Sequence, residues 1–368
     1  MAIAACGGGG HTVAGPSSGC GSALSFTVLP VPITSISAAT PVGNMGPPIH
    51  TIPTDHSGVY LAGTWVTLVS PGPLRVTVVT RVHYLVSPFR QGVFDYAITA
   101  NACNGYQVVL GHILTVVDKI SSQVGSDCTT YSTANETVES CRNFSADIAL
   151  NPGETIGTVG STSEPAFDFG LYNAASPNSF VNPARYSSNT LSATCAYDAF
   201  TSDLRAQLYA KIGQPGLPGS GESPACGTMN VDVVGTARGV WVLQSAPVNQ
   251  AGDETNFAAL TPHPFYQQSG QAISIGLATL INSASAPLAR FPVTTSGRVN
   301  RQFRDVTADG QIYCYVPDLT LSNFSYYLRL GSGNVLTIQH LNHSPGASPC
   351  SRDPSTWAFD GTAVAFIR

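Results

Sequence analysis

Short β-branched and aromatic runs, mostly broken off by glycine, proline or asparagine, recur along this chain and set what it can become. Val59–Leu61, Trp65–Val69, Leu74–Val79, Asp95–Thr99 and Tyr106–Leu110 make one block. Gly239–Leu243, Ala272–Gly276, Gln311–Tyr315, Tyr326–Leu330, Val335–Ile338 and Ala363–Phe366 make a second. Runs of this length between turn residues read as strands, and they disfavour long helices. The 36 glycines and 26 prolines of the 368 residues agree, at about 17% where about 12% is usual. One helix is expected: Thr201 or Ser202 can cap it, Leu204, Leu208 and Ile212 recur at i, i+4 and i+8, and Gly213 ends it. Gln214–Gly221, with two prolines and no apolar period, reads as a linker or long surface loop. The expectation is a mostly β protein in four parts. A flexible Gly, Ser, Ala and Thr-rich leader spans 1–40, a β-domain 41–185, the helix and linker 186–225, and a second β-sandwich or barrel-like domain 226–368.

Charged residues make up only 10% of the chain and the net charge is −5. Lys119 and Lys211 are the only lysines and the arginines form no cluster, so no stripe could follow a nucleic-acid backbone. Nine cysteines with so few lysines suggest export to an extracellular or cell-envelope location. Ile3-Ala4-Ala5-Cys6 before four glycines resembles a bacterial lipobox, which makes Cys6 a candidate lipidation site and a lipid anchor the expected route to a membrane. No other segment offers the ~18–20 unbroken apolar residues of a membrane span. Cys20, Cys103, Cys128, Cys141, Cys195, Cys226, Cys314 and Cys350 are even in number and contain no C-x-x-C pair, which favours disulfides over a zinc ribbon. Cys128 with Cys141 and Cys195 with Cys226 close the shorter loops. Cys20 is the thiol expected to stay free.

Chemistry concentrates between residues 47 and 173. His50, Asp55 and His56 place two imidazoles and a carboxylate within seven residues, a set that suits Zn²⁺ if further ligands arrive from elsewhere and that otherwise reads as a polar surface turn. His56-Ser57-Gly58-Val59-Tyr60 is followed by Leu68–Val76 with its Pro71-Gly72 turn, by Asn104–Ile113 ending on Gly111-His112-Ile113, and by Pro152–Thr162, then Ala166-Phe167-Asp168-Phe169. In this order the segments resemble the lysostaphin/LytM-type zinc endopeptidases, which cut peptidoglycan cross-bridges on a β-rich duplicated hybrid motif fold. The resemblance implies that His56 stands at the first zinc ligand of an H-x-G-x-D segment, with Tyr60 in place of aspartate. It puts His112 at a catalytic histidine. Where the family has H-x-H-F, this chain has Ala166 for the other catalytic histidine and Asp168 for the last zinc ligand. Zinc at His56 and Asp168, with His50 or Asp55, is what the resemblance leaves open. A register with His50 and Asp55 as the ligand pair has four intervening residues instead of three.

The second half carries weaker signals. Arg301, Arg304 and Asp305 read as a solvated charged turn, His340 and His343 as loop residues, and Tyr313, Tyr315, Tyr326, Tyr327 and Trp357 as either a sugar-stacking platform or core. Three functions are compatible with these readings. The first is a non-catalytic envelope protein on a peptidase-like scaffold, binding cell-wall or surface glycan or peptide. The second is a divergent zinc endopeptidase in which His112 acts. The third is a self-assembling sheath or filament subunit.

Overall fold

The computed structural model describes residues 24–47, 50–88, 90–132, 136–215, 217–219, 222, 226–246, 254–279, 281 and 288–368. The protein is mostly β, with two large antiparallel sheets, one of them nearly barrel-shaped. The first sheet takes β1 (Ile36–Ala39), β2 (Ser57–Leu61), β3 (Val66–Val69), β4 (Leu74–Val86), β5 (Phe94–Asn101) and β6 (Tyr106–Val116). After the single turn α1 (Asp118–Ser121) it adds β7 (Cys128–Ser132), β8 (Thr137–Asn143), β9 (Ile148–Leu150), β10 (Thr155–Val159), β11 (Ala166–Asn173) and, past α2 (Ser188–Ser192), β12 (Ala193–Thr194). Its main order is β1-β2-β11-β6-β5-β4-β8-β7, and β10 bridges β3 to β6. After α3 (Ser202–Tyr209) come the short pair β13 (Gly213–Gln214) and β14 (Leu217–Pro218). The second sheet holds β15 (Gly239–Leu243), β16 (Phe257–His263), β17 (Tyr266–Ile275), β18 (Leu288–Pro292), β19 (Tyr313–Tyr315), β20 (Phe324–Gly331), β21 (Val335–Asn342) and β22 (Val364–Ile367), in the order β18-β17-β16-β15-β22-β21-β20-β19.

Alternation and bulges explain these strands better than propensity does. In β4, Leu74 and Val76 are buried and Arg75 is exposed, then the buried set moves to Val79. The pairing shows why: Val76 faces Ala100 and Val78 faces Thr99, so Thr77 is an extra residue that turns the following side chains over.

Two expectations need correction, and one open alternative is decided. Leu24–Thr40 is not part of a loose leader: Phe26, Val31 and Ile36 are buried in the core of the first sheet, and β1 pairs with β2. Small and hydroxyl residues disguised a segment that sends Phe26, Val31 and Ile36 into the core. The aromatic platform is likewise core, since Tyr313, Tyr315, Tyr326, Tyr327 and Trp357 are all at most 8% exposed. β20 is covered on both faces, so its aromatics have no solvent side. Finally, α3 stops at Tyr209, and Ile212 joins the core one step beyond it instead of completing the helical stripe.

Cys128–Cys141, Cys195–Cys226 and Cys314–Cys350 are disulfides with Cα separations of 4.0, 5.9 and 5.4 Å. Cys103 is disulfide-bonded as well. These bridges fit an oxidising, extracellular setting. Cys6 and Cys20, with the expectations attached to them, lie outside the described residues. Among the described residues no helix is long and apolar enough to cross a membrane.

The two sheets meet over a mixed apolar cluster. Met45 and Ile52 from the segment before β2 pack with Val231, Val240, Val242, Phe257, Ala259 and Ala272. Asp232 reinforces the seam, accepting hydrogen bonds from Val181 N and Val240 N at 2.8 Å each.

Candidate metal centre

Three neighbouring strands build the site. β11 lies between β2 and β6, so that Asp168 faces Gly58 on one side and Gly111 on the other. Side chains two residues apart in a strand share a face. Tyr60 and Ala166, which pair with each other, therefore flank Asp168 on the same surface. Gly111 makes room: a Cβ there would lie 3.3 Å from Asp168 Oδ2. His56 enters just before β2, where Gly58 N is anchored on Thr40 Oγ1 at 2.8 Å.

His112 is placed by a bulge. Leu110 pairs with Ile98 and Ile113 with Tyr96, which leaves Gly111 and His112 opposite the single residue Ala97. His112 takes a positive φ of 56°, a conformation that costs a non-glycine residue on the order of 1–3 kcal/mol and that recurs at functional sites. The bulge turns its ring toward Asp168.

The geometry is symmetric about one oxygen. His56 Nε2 and His112 Nε2 each lie 3.4 Å from Asp168 Oδ2. On their far sides, His56 Nδ1 meets Asp55 Oδ1 at 2.9 Å and His112 Nδ1 meets Asp95 Oδ2 at 2.8 Å. Asp55 is steadied in turn by the Thr190 hydroxyl of α2 at 3.2 Å, and Asp95 by the Tyr84 hydroxyl at 3.4 Å. His50 stands edge-on to His56 with ring centroids 5.5 Å apart. Glu164 approaches His112 Nδ1 at 3.9 Å but is taken by Arg90 Nη1 at 2.8 Å.

Electrostatics follow from this array. Burial opposes charge on His112, yet Asp168 and then Asp95 outweigh it and push its imidazolium up to about 10. Burial likewise opposes His56, and Asp168 with Asp55 raises it. Burial would raise Asp168, but His56 and His112 hold its carboxyl below the usual range. His50 is pushed down to about 4 by burial and by His56. Burial lifts Tyr60, helped by Asp168 and Glu164.

In ligand type, two imidazoles and a carboxylate suit a divalent ion of the zinc class, although the three groups do not all lie within 4.8 Å of one another as they stand. A charge-assisted N–H···O bond runs ~2.7–2.9 Å, well short of what is seen here. Two ligands about 2.0–2.1 Å from a tetrahedral zinc are about 3.3–3.4 Å apart, a spacing that each imidazole keeps to Asp168 but that the two imidazoles do not keep to each other, so the rings would have to close by more than about 1 Å to share an ion. A carboxylate behind each histidine is the usual way a protein fixes which nitrogen faces a metal.

The structure thus brings together all five residues singled out here: His56, His112 and Asp168 at the centre, Asp55 behind His56 and His50 beside it. Sequence reasoning assigned His112 to catalysis and Asp55 to ligation; in the structure His112 Nε2 faces the same oxygen as His56, and Asp55 turns to the outer nitrogen. It missed Asp95, Tyr84, Thr190, Glu164 and Arg90. Of these only Asp95 carried a usable signal, an acidic residue inside an apolar strand. No known family profile matches the chain, and no curated protein matches it either.

The second sheet also reaches the segment that carries His50 and His56. Glu254 Oε2 accepts the Ile52 amide at 3.0 Å, and burial pushes its carboxyl up to about 7 from an ordinary 4.5. A folded-state value above the unfolded one means that the stabilising proton is fully held below about 4.5 and is lost as pH rises through about 7. Stability relative to a Glu254→Gln variant should therefore fall by about 3 kcal/mol between pH 4.5 and pH 8. Urea unfolding at a series of pH values reads this directly, and parallel curves for the two proteins would refute it.

Proposed function

We propose that this is an exported, non-catalytic binding protein whose first sheet resembles the lysostaphin/LytM endopeptidase scaffold and keeps a divalent-metal centre at His56, His112 and Asp168. The observation that carries this reading is the pair of imidazole Nε2 atoms at 3.4 Å from one Asp168 oxygen, each backed by its own carboxylate. With His56 and His112 drawn together on Asp168, three protein ligands would leave an open position, where bound zinc would supply a Lewis acid able to take an oxygen or nitrogen donor from a partner. The surrounding chain supports holding over cutting. A general base must reach the attacking water and be free to take its proton. Ala166 offers no such group, burial holds the Tyr60 phenol in its neutral form, and Glu164 is engaged by Arg90. Surface glycan or peptide of the cell wall is the proposed partner class, and the disulfides are in keeping with work outside the cytoplasm.

Two measurements test it together. Calorimetric titration of the metal-free protein with zinc should give one saturable site, and the loaded protein should release no fragments from peptidoglycan or from pentaglycine peptides. Absence of saturable zinc binding would remove the metal centre. Turnover that a chelator stops and zinc restores would instead establish a divergent endopeptidase.

A further inference from the structure

Away from the metal centre, the second sheet carries a cleft of about 270 Å³ beside β17, and its charge is one-sided. Arg238 and Arg304 line it together with Gln267, Gln268 and Gln302, and no acidic residue does. Arg238 donates Nε–H to Val231 O at 3.0 Å. Arg304 donates Nε–H to Gln302 Oε1 at 2.6 Å, and Asp305 stands 4.0 Å off the same nitrogen. Among the described residues the terminal nitrogens of both guanidinium groups have no acceptor, so two forks of donors are left for whatever enters. Burial and the Arg304 charge hold Arg238 below its usual range, against the opposing pull of Asp232.

The wall is prepared for this. Gln271, only 3% exposed, donates to Asn300 O at 2.9 Å and Arg301 O at 3.1 Å and accepts Phe303 N at 3.1 Å. One buried amide thus fixes the loop that presents Gln302 and Arg304. A paired arginine fork recognises a planar carboxylate or a phosphate group, and side-chain amides suit hydroxyls. At this volume the cleft admits about one sugar unit.

We propose that this cleft binds a single acidic sugar residue, with Arg238 and Arg304 on its carboxylate or phosphate and the glutamine amides on its hydroxyls. The site is independent of the metal centre and of the reading given for it.

Calorimetric titration of the full chain with D-glucuronate, glucose 6-phosphate, glucose and inorganic phosphate tests the assignment. At least one acidic sugar should bind at least about tenfold more tightly than both glucose and inorganic phosphate, with the preferred acid fixing which oxyanion the site takes. Arg304→Gln, at a largely exposed side chain, should weaken that binding by about tenfold without moving the unfolding midpoint, and Arg238→Gln should do the same to binding. Equal affinity for glucose, equal affinity for inorganic phosphate, no saturation by either acidic sugar, or full affinity in Arg304→Gln would each overturn the proposal.

Discussion

With Asp168 replaced by alanine, zinc affinity should fall by more than about 100-fold, and the metal-free protein should lose about 3–5 kcal/mol of stability at neutral pH. The size of both effects comes from one oxygen serving two rings. Asp168 Oδ2 is the atom that His56 Nε2 and His112 Nε2 both face at 3.4 Å. Without it both partly buried imidazoles lose the charge that most favours their protonated forms, and each keeps only its outer carboxylate. Asp55 and Asp95 sit on the Nδ1 sides and cannot take over. Loss of a supporting carboxylate usually costs ~10–100-fold in metal affinity, and a ligand should cost more. Zinc titration and urea unfolding of the variant are the measurements. Affinity within about fivefold of the parent would mean that Asp168 holds no metal.

Phe26→Ala should destabilise the fold by about 3–5 kcal/mol, as large-to-small changes in a filled core do. Phe26 is fully buried, with ring centroids 5.2 Å from Phe200 and 6.2 Å from Phe169. Its backbone is stitched to the turn before α3, donating to Ala199 O at 2.7 Å and accepting from Thr201 N at 3.1 Å. Phe169 follows Asp168 in β11 and points to the opposite face, so a cavity at residue 26 opens behind Asp168 as well. Urea denaturation decides the matter: a loss under about 1 kcal/mol would show that this segment is dispensable.

What could be read from sequence, and what could not, divides along the reach of each signal. Alternating and short apolar runs located the strands because burial on one face is a local pattern. Val59–Leu61, Asp95–Thr99 and Tyr106–Leu110 all fall within strands. Bulges escaped, since nothing in Gly111-His112 states that Ile98 and Tyr96 will span it with one residue between them. For the same reason Asp95, although marked as an acidic residue inside an apolar strand, could not be assigned to the histidine: it reaches the site only through β5–β6 pairing. His56, His112 and Asp168 were singled out through a resemblance in motif order, and the pairing of β11 with β2 and β6 is what brings Asp168 to the two histidines. The Leu24–Thr40 stretch misled because flexibility was inferred from average composition, while Phe26, Val31 and Ile36 act individually.

The seam between the sheets bears on how this protein can be taken apart. Met45 and Ile52 precede the site histidine, yet they are buried against β15, β16 and β17, and Glu254 grips the same stretch by its Ile52 amide. A fragment ending at the boundary of the first sheet would expose that apolar strip and free the arm bearing His50, Asp55 and His56. The halves are not separable modules in the engineering sense. The second sheet is a retaining wall for the first one's chemistry, so fusions, truncations and domain swaps should keep the two together.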